Sequence, residues 1–135
     1  YMNYKNFDLN FTMRASIGNY AYNNIAGKTA ITNLNDLGTN RNVHNSLLET
    51  NFQEVQLWSD HYIQDASFLK MDNIVFGYNF DDIKEGKVGL RIYTSVQNVF
   101  TITDYEGLDP EISGGIDNNF YPRPRTFLLG FNINF

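Results

Sequence analysis

Few residues in this chain of 135 are placed to do chemistry. His44 and His61 are its only histidines, cysteine is absent, and no His-x-x-x-His spacing sets two imidazoles on one helical turn. A metal site needs converging ligands, so both histidines read as loop residues. The acidic set Asp104, Glu106, Asp109, Glu111 and Asp117 has the oxygen chemistry of a calcium site. Without the spacing of an EF-hand it reads as a solvated loop, and no cofactor or metal is expected. Arg123 and Arg125, separated by Pro124, have guanidinium forks that can clamp a carboxylate. The stronger reading is that Pro122 and Pro124 stiffen the approach to the last strand while the two arginines pair with loop carboxylates. Neither Gly-x-Ser-x-Gly nor a Walker sequence nor a nucleophile and base at workable spacing occurs, so the chain is not read as an enzyme. Rings remain: Tyr20, Tyr22, Trp58, Tyr62, Tyr105, Phe120 and Tyr121 stand in or beside irregular segments, where binding residues concentrate. Such rings can stack on sugars, although an interfacial aromatic belt accounts for several of them without a ligand. Trp58, Tyr62, Tyr105, Tyr121, Arg123 and Arg125 are the candidate contact residues.

Composition narrows what could position them. Hydrophobic residues make up 42% and charged residues 19%, which is not the make-up of a disordered tail. Aromatic residues reach 16%, with eleven Phe and nine Tyr, a content suited to a β-rich core or to the aromatic girdles of a membrane barrel. Mean hydropathy is negative and no apolar run approaches the length of a membrane helix. Alternating strands escape that test. The net charge of -5 argues against nucleic acid as a partner, since phosphate binding needs a basic face. With no cysteine, the redox compartment stays open, and no secretory signal is visible at the start.

The elements are most legible in the last ten residues. Phe127, Leu129, Phe131, Ile133 and Phe135 share one face of an extended strand, and Leu128, Gly130, Asn132 and Asn134 share the other. A transmembrane β-strand needs about 9 to 11 residues and alternates apolar toward lipid with polar toward the lumen, which this stretch does. Four strands are predicted, near 4–22, 68–80, 88–103 and 126–135. In the first, Phe7, Leu9, Phe11, Met13, Ala15 and Ile17 oppose Asp8, Asn10, Thr12, Arg14 and Ser16. In the second, Ile74, Phe76, Tyr78 and Phe80 oppose Val75, Gly77 and Asn79, and in the third Val88, Leu90, Ile92, Thr94 and Val96 oppose Gly89, Arg91, Tyr93, Ser95 and Gln97.

Long segments near 23–67 and 104–125 lose the alternation, and a short charged turn falls near 81–87. Ser46 and Glu49 have the spacing of a capping box, so a short helix is predicted there, with Leu48, Phe52 and Val55 at helical spacing. Putting the chain end in the periplasm places both long connections outside and the short turn inside, the asymmetry of bacterial outer-membrane barrels. Four strands cannot close a barrel, whose smallest bacterial form has about eight, and lipid does not tolerate an open sheet edge. The expected fold is therefore all-β, an antiparallel transmembrane β-barrel of which this chain supplies four strands at the C-terminal end, the alternative being that several copies assemble to close one.

At the level of residues, the run S-D-H-Y-I-Q-D-A-S-F-L-K-M-D-N-I-V-F-G-Y (59–78), then L-R-I-Y-T-S-V-Q-N-V-F-T-I-T-D-Y (90–105), G-L-D-P-E (107–111) and Y-P-R-P-R-T-F (121–127) resembles the end of the SusC/RagA family of TonB-dependent outer-membrane transporters. The opening Y-K-N-F-D-L-N-F (4–11) and G-N-Y-A-Y-N-N (18–24) are similar to that family too. Residues 26–56 are the least family-like. The resemblance implies a plugged barrel of roughly 22 strands in the outer membrane of a Gram-negative, Bacteroidota-like cell. It implies import of oligosaccharides or peptides, a SusD-like surface lipoprotein over the external loops, and energy from TonB acting through upstream parts of the transporter. The six candidate residues would then meet substrate or lipoprotein. Phe135 resembles the terminal aromatic read by the barrel-insertion machinery, besides facing outer-membrane lipid. The rival expectations are a siderophore-type TonB-dependent receptor without the lipoprotein, and a soluble all-β binding module.

Overall fold

The computed structural model describes residues 1–33, 42–56, 58–83, 88–118 and 121–134. In chain order its elements are β1 (Met2–Tyr4), β2 (Phe7–Ser16), β3 (Tyr20–Tyr22), α1 (Asn24–Thr29), α2 (Leu47–Thr50), a 3-10 turn (Asp60–Tyr62), β4 (Ile63–Asp65), β5 (Phe68–Ile83), β6 (Val88–Thr103) and β7 (Thr126–Asn134). They form two compact units, one of residues 1–16, 68–102 and 123–135 and one of residues 17–67 and 103–122.

The first unit is an antiparallel sheet in the order β1-β2-β5-β6-β7. Its register keeps the two kinds of side chain apart. Phe7, Leu9 and Phe11 pair with Tyr78, Phe76 and Ile74, and Leu90, Ile92, Thr94 and Val96 pair with Ile133, Phe131, Leu129 and Phe127. The other face carries Asp8 opposite Gly77, Thr12 opposite Asn73, Arg91 opposite Asn132 and Tyr93 opposite Gly130. Strict alternation down β5 would put Asp72 and Lys70 on the apolar side. A β-bulge prevents this: the register shifts between Thr12 and Met13, passing from Thr12 opposite Asn73 to Met13 opposite Met71 and so skipping Asp72, and Lys70 falls opposite Arg14. Arg14 then holds Asp72 through Nε and Nη2, at 2.5 and 2.9 Å.

The run predicted near 4–22 is divided in three. Met2, Asn3 and Tyr4 fold back on Leu9, Asp8 and Phe7, so a fifth short strand joins the sheet. The two-residue turn between them has Lys5 at φ 53°. Such hairpins want a positive φ, usually from Gly or Asn, and a lysine in that role gives no turn signal in the sequence. At the far end β2 stops at Ser16, and Tyr20–Tyr22 belongs to the second unit. The strand predicted near 68–80 runs on to Ile83, which takes up the start of the expected turn near 81–87; residues 84–87 and Phe135 lie outside the described residues.

The second unit replaces the expected loop near 23–67 with packed structure. β3 and β4 pair antiparallel, Tyr20 with Asp65 and Tyr22 with Ile63, and Tyr22 makes a parallel bridge to Ile116. Two small cores lie beneath: Ala21, Ala66 and Tyr105 with Ile112, and Ala26, Ala30 and Tyr62 with Tyr22, Leu47 and Phe52. The predicted short helix is α2, but the capping box does not close. Ser46 is itself helical, its side chain makes no cap bond, and its Oγ lies 2.9 Å from His44 Nδ1 instead. Helix α1 is begun by Asn23, whose buried side chain accepts from Ala26 N at 3.0 Å.

Candidate binding surface

Tyr22 organises the aromatic residues of the second unit. As the last residue of β3 it is tied on both sides, its amide donating to Gly115 O at 2.8 Å and its carbonyl accepting from Asp117 N at 2.9 Å. Its ring stacks on Trp58, with centroids 5.7 Å apart and planes 30° apart, and meets Tyr62 edge-on at 6.4 Å. Trp58 has φ 63°, a strained conformation for a bulky residue, costing on the order of 1–3 kcal/mol. The strain is held in place by a hydrogen bond from Trp58 N to Tyr22 Oη at 2.9 Å. Trp58 is 76% exposed. Since Tyr22 covers one face of the indole, the other is the one turned outward.

Tyr62 belongs to the small core against which Tyr22 packs. It is buried, and its hydroxyl has no hydrogen-bond partner among the described residues. Burial pushes its phenol above the ordinary value, with Tyr22 adding to the effect. Gly27 explains how the rings approach α1: a Cβ there would lie 3.2 Å from Tyr22 Oη and 3.3 Å from Tyr62 Cδ2. His61, exposed, makes edge contacts with Tyr62 at 5.1 Å and Phe52 at 6.0 Å.

Tyr105 is likewise internal. Its hydroxyl donates to Asp117 Oδ2 at 2.8 Å, and both residues are buried. Burial first and the Asp117 carboxylate second push the Tyr105 phenol far up. Gly107 closes over the pair so tightly that a Cβ would fall 2.2 Å from Tyr105 Cε1 and 2.6 Å from Asp117 Oδ2. The acidic set is thus spread among separate tasks: Asp117 receives Tyr105, Asp109 Oδ1 caps its own turn by accepting from Glu111 N at 2.9 Å, and Glu106 Oε2 accepts from Gln64 Nε2 at 2.8 Å. Among the described residues no three His, Asp or Glu side chains gather as a metal would require.

Of the six candidates, Trp58 and Tyr62 are brought together around Tyr22, Trp58 facing out and Tyr62 in. Tyr105 belongs to the other small core. Tyr121 is exposed at the end of the second unit, and Arg123 and Arg125 belong to the first. There the arginines frame Asn98, a left-handed residue at φ 53°. Asn98 Nδ2 donates to Arg123 O at 2.7 Å, and Arg125 Nε donates to Asn98 O at 3.4 Å. Sequence reasoning missed Asn23, Gly27 and Gly107, whose work depends on what packs against them and leaves no periodic trace.

Known proteins place this arrangement. No family model matches the chain. Over 99% of its length it is 42% identical to the TonB-dependent receptor SusC of Bacteroides thetaiotaomicron, of which it covers 14%. It is 33% identical, again over 99% of its length, to the TonB-dependent receptor P3 of Formosa agariphila, of which it covers 15%. Among solved structures, the RagAB peptide transporter superposes on 96% of the chain with a TM-score of 0.77 at 24% identity, the chain covering 16% of it. The RagAB peptide importer in its closed-closed state superposes on 98% with a TM-score of 0.76, also at 24% identity and covering 16% of that chain. At that identity the structural likeness speaks to the fold: an antiparallel sheet of the TonB-dependent transporter barrel type. The chain spans about one seventh of the length of the curated relatives it matches.

Proposed function

Since the chain belongs, over nearly all its length, with the TonB-dependent receptors of the SusC/RagA kind, we propose that it forms wall and external-loop structure of an outer-membrane importer. The observation that carries this reading is the sheet's exposed apolar face. Phe127, Leu129, Phe131 and Ile133 of β7 stand 51 to 81% exposed in one row, while the opposite face holds ion pairs and polar side chains. Water is a poor solvent for such a row, and the interior of a bilayer a good one. For the same reason a soluble β module is disfavoured.

In this reading the first unit is membrane wall. The second unit lies outside the cell, as part of the vestibule under a SusD-like surface lipoprotein, and the connection near 81–87 lies in the periplasm. Substrate is an oligosaccharide or a peptide, TonB acts through parts of the transporter outside this chain, and Phe135 serves the barrel-insertion machinery. The experiment is affinity capture of the full-length protein, tagged within residues 110–118, from detergent-solubilised outer membranes. A heat-modifiable band several times heavier than 15.6 kDa with a copurifying lipoprotein is expected. Capture of the heavy band without a lipoprotein would favour the siderophore-type alternative, and recovery from the soluble fraction would overturn the membrane reading.

A further inference from the structure

We infer that Arg123 and Arg125 form a headgroup site for an anionic lipid of the outer leaflet, a phosphorylated glycolipid whose phosphate the two guanidiniums hold while one acyl chain lies in a groove lower on the same sheet face; this rests on the import reading above, which sets the start of β7 at the outer surface. Three observations converge. Counting back from the apolar row Phe127, Leu129, Phe131 and Ile133, alternation puts Arg125 and then Arg123 in line above it, so one strand runs from two exposed cations into an oily face. That is the profile of an anionic amphiphile, charge first and hydrocarbon below. Second, the pair is held in place. Pro124 fixes its own φ and keeps Arg123 extended, Asn98 Nδ2 donates to Arg123 O at 2.7 Å and to Pro124 O at 3.5 Å, and Arg125 Nε donates to Asn98 O at 3.4 Å. A guanidinium that only snorkelled toward water would need no such frame. Neither 88–103 nor 121–135 contains an Asp or Glu, so β6 and β7 supply no carboxylate for the arginines, and phosphate is an anion that guanidinium forks fit. Third, an apolar groove of about 240 Å³ opens on this sheet, its lining including Phe76, Tyr78, Phe80, Ile92, Thr94 and Leu129. Thr94 is the smallest of these, and its hydroxyl already donates to Leu128 O at 3.2 Å, so nothing polar is needed in the groove. Leu129 lies four residues below Arg125, about 13 Å at the rise of an antiparallel strand. That is within one leaflet, half of a hydrocarbon core of about 30 Å.

The test uses the full-length transporter in detergent, with binding followed by calorimetry and folding by heat-modifiable gel mobility. The probes are a phosphorylated, acylated glucosamine disaccharide, the same lipid after phosphatase treatment, and sodium phosphate alone. The variants are Arg125→Gln, the double variant Arg123→Gln with Arg125→Gln, and Thr94→Leu, which fills the groove. The native protein is expected to bind the phosphorylated lipid at least about ten-fold tighter than either other probe. The folded double variant should lose about ten-fold or more, Arg125→Gln less, and Thr94→Leu about three-fold or more. Equal binding of the dephosphorylated lipid, or binding unchanged in both arginine variants, would overturn the headgroup site. Phosphate bound as tightly as the lipid, or lipid binding unchanged in Thr94→Leu, would overturn the acyl seat. A double variant that keeps its lipid and loses the copurifying lipoprotein would overturn the lipid site in favour of a protein contact. Each of these outcomes leaves the heavy membrane band of the capture experiment in place, whereas recovery from the soluble fraction would remove the import reading itself.

Discussion

Arg91 on β6 reaches across β5 to grip Asp8 on β2, with Nη2 2.5 Å from Oδ1 and Nε 3.0 Å from Oδ2. The two residues are 83 positions apart, and the residue they cross is Gly77, directly opposite Asp8 in the ladder. A Cβ at Gly77 would lie 2.2 Å from Asp8 Oδ2 and 2.7 Å from Arg91 Nη2. The same device recurs one strand along. The Arg91 guanidinium lies 4.9 Å from the Tyr93 ring centroid, and Tyr93 covers Gly130 on β7, where a Cβ would come within 2.4 Å of the ring. Each glycine admits a large side chain from its neighbouring strand, so the polar face is knitted across four strands.

Gly77→Ala is accordingly expected to displace one partner of the Asp8–Arg91 pair. A charge-assisted, two-point bond between a buried carboxylate and a half-buried guanidinium is worth about 1–3 kcal/mol, and the midpoint of heat-induced gel shift should fall to match. The decisive control is a cycle with Asp8→Asn. Since asparagine would keep the clash, the cycle also needs Asp8→Ala: if Gly77→Ala costs as much with Asp8→Ala as alone, the glycine is not there to admit the ion pair.

Much of this was legible in the residues. Period-two alternation located β2, β5, β6 and β7 because one face is apolar from end to end, and the split of Leu129 from Gly130 or of Ile92 from Tyr93 is visible without coordinates. The bulge at Asp72 was not, because the alternation from Ile74 to Phe80 carries no mark of the extra residue below it. Nor was the second unit: its cores are built from Ala21, Ala26, Ala30 and Ala66 around Tyr62 and Tyr105. Small residues packed on isolated rings have no helical or strand period, so the segment reads as loop. In the sequence Trp58 stands out only as an aromatic residue in an irregular segment. What singles it out, the left-handed main chain and the stack on Tyr22, depends on a partner 36 positions away.

Asn98 offers a test that separates backbone conformation from hydrogen bonding. It sits at φ 53° just beyond the last β6–β7 pair, Gln97 with Thr126. Asn98→Gly keeps the conformation and loses the bond to Arg123 O, for about 1 kcal/mol. Asn98→Val loses both, and a β-branched residue there should cost about 2–3 kcal/mol. Equal thermal midpoints for the two variants would mean that the left-handed conformation contributes nothing.

On the apolar face the prediction concerns solvent. Leu129 is 81% exposed and pairs with Thr94 midway along β7. If this row faces acyl chains, Leu129→Arg destabilises the assembled barrel by about 2–4 kcal/mol near the bilayer midplane, whereas Asn132→Arg, on the other face, costs little. Unfolding of the two variants from lipid vesicles in urea distinguishes the faces. Identical midpoints would sink the lipid-facing assignment.

The last prediction turns on pH and on two buried tyrosines that differ in one respect. Tyr105 donates to Asp117, while the Tyr62 hydroxyl has no partner among the described residues. At neutral pH Tyr105→Phe strips a buried carboxylate of a donor and should cost about 1–3 kcal/mol, read as faster proteolysis within residues 17–67 and 103–122. Tyr62→Phe removes an unpaired group and should be neutral or slightly stabilising. In both residues the folded-state phenol is raised above its ordinary 10.0, because burial, and for Tyr105 the Asp117 carboxylate, penalise the phenolate. A raised folded pKa means that the folded state keeps a proton the unfolded state gives up. The stabilisation is therefore complete below about pH 10 and drains away as pH rises beyond it. Protease resistance of the native second unit should fall above that pH, and Tyr105→Phe, with no phenol to ionise, should show a shallower fall from its lower starting point. A decline as steep as the native protein's both in Tyr105→Phe and in the double variant with Tyr62→Phe would show that neither phenol sets the alkaline limit.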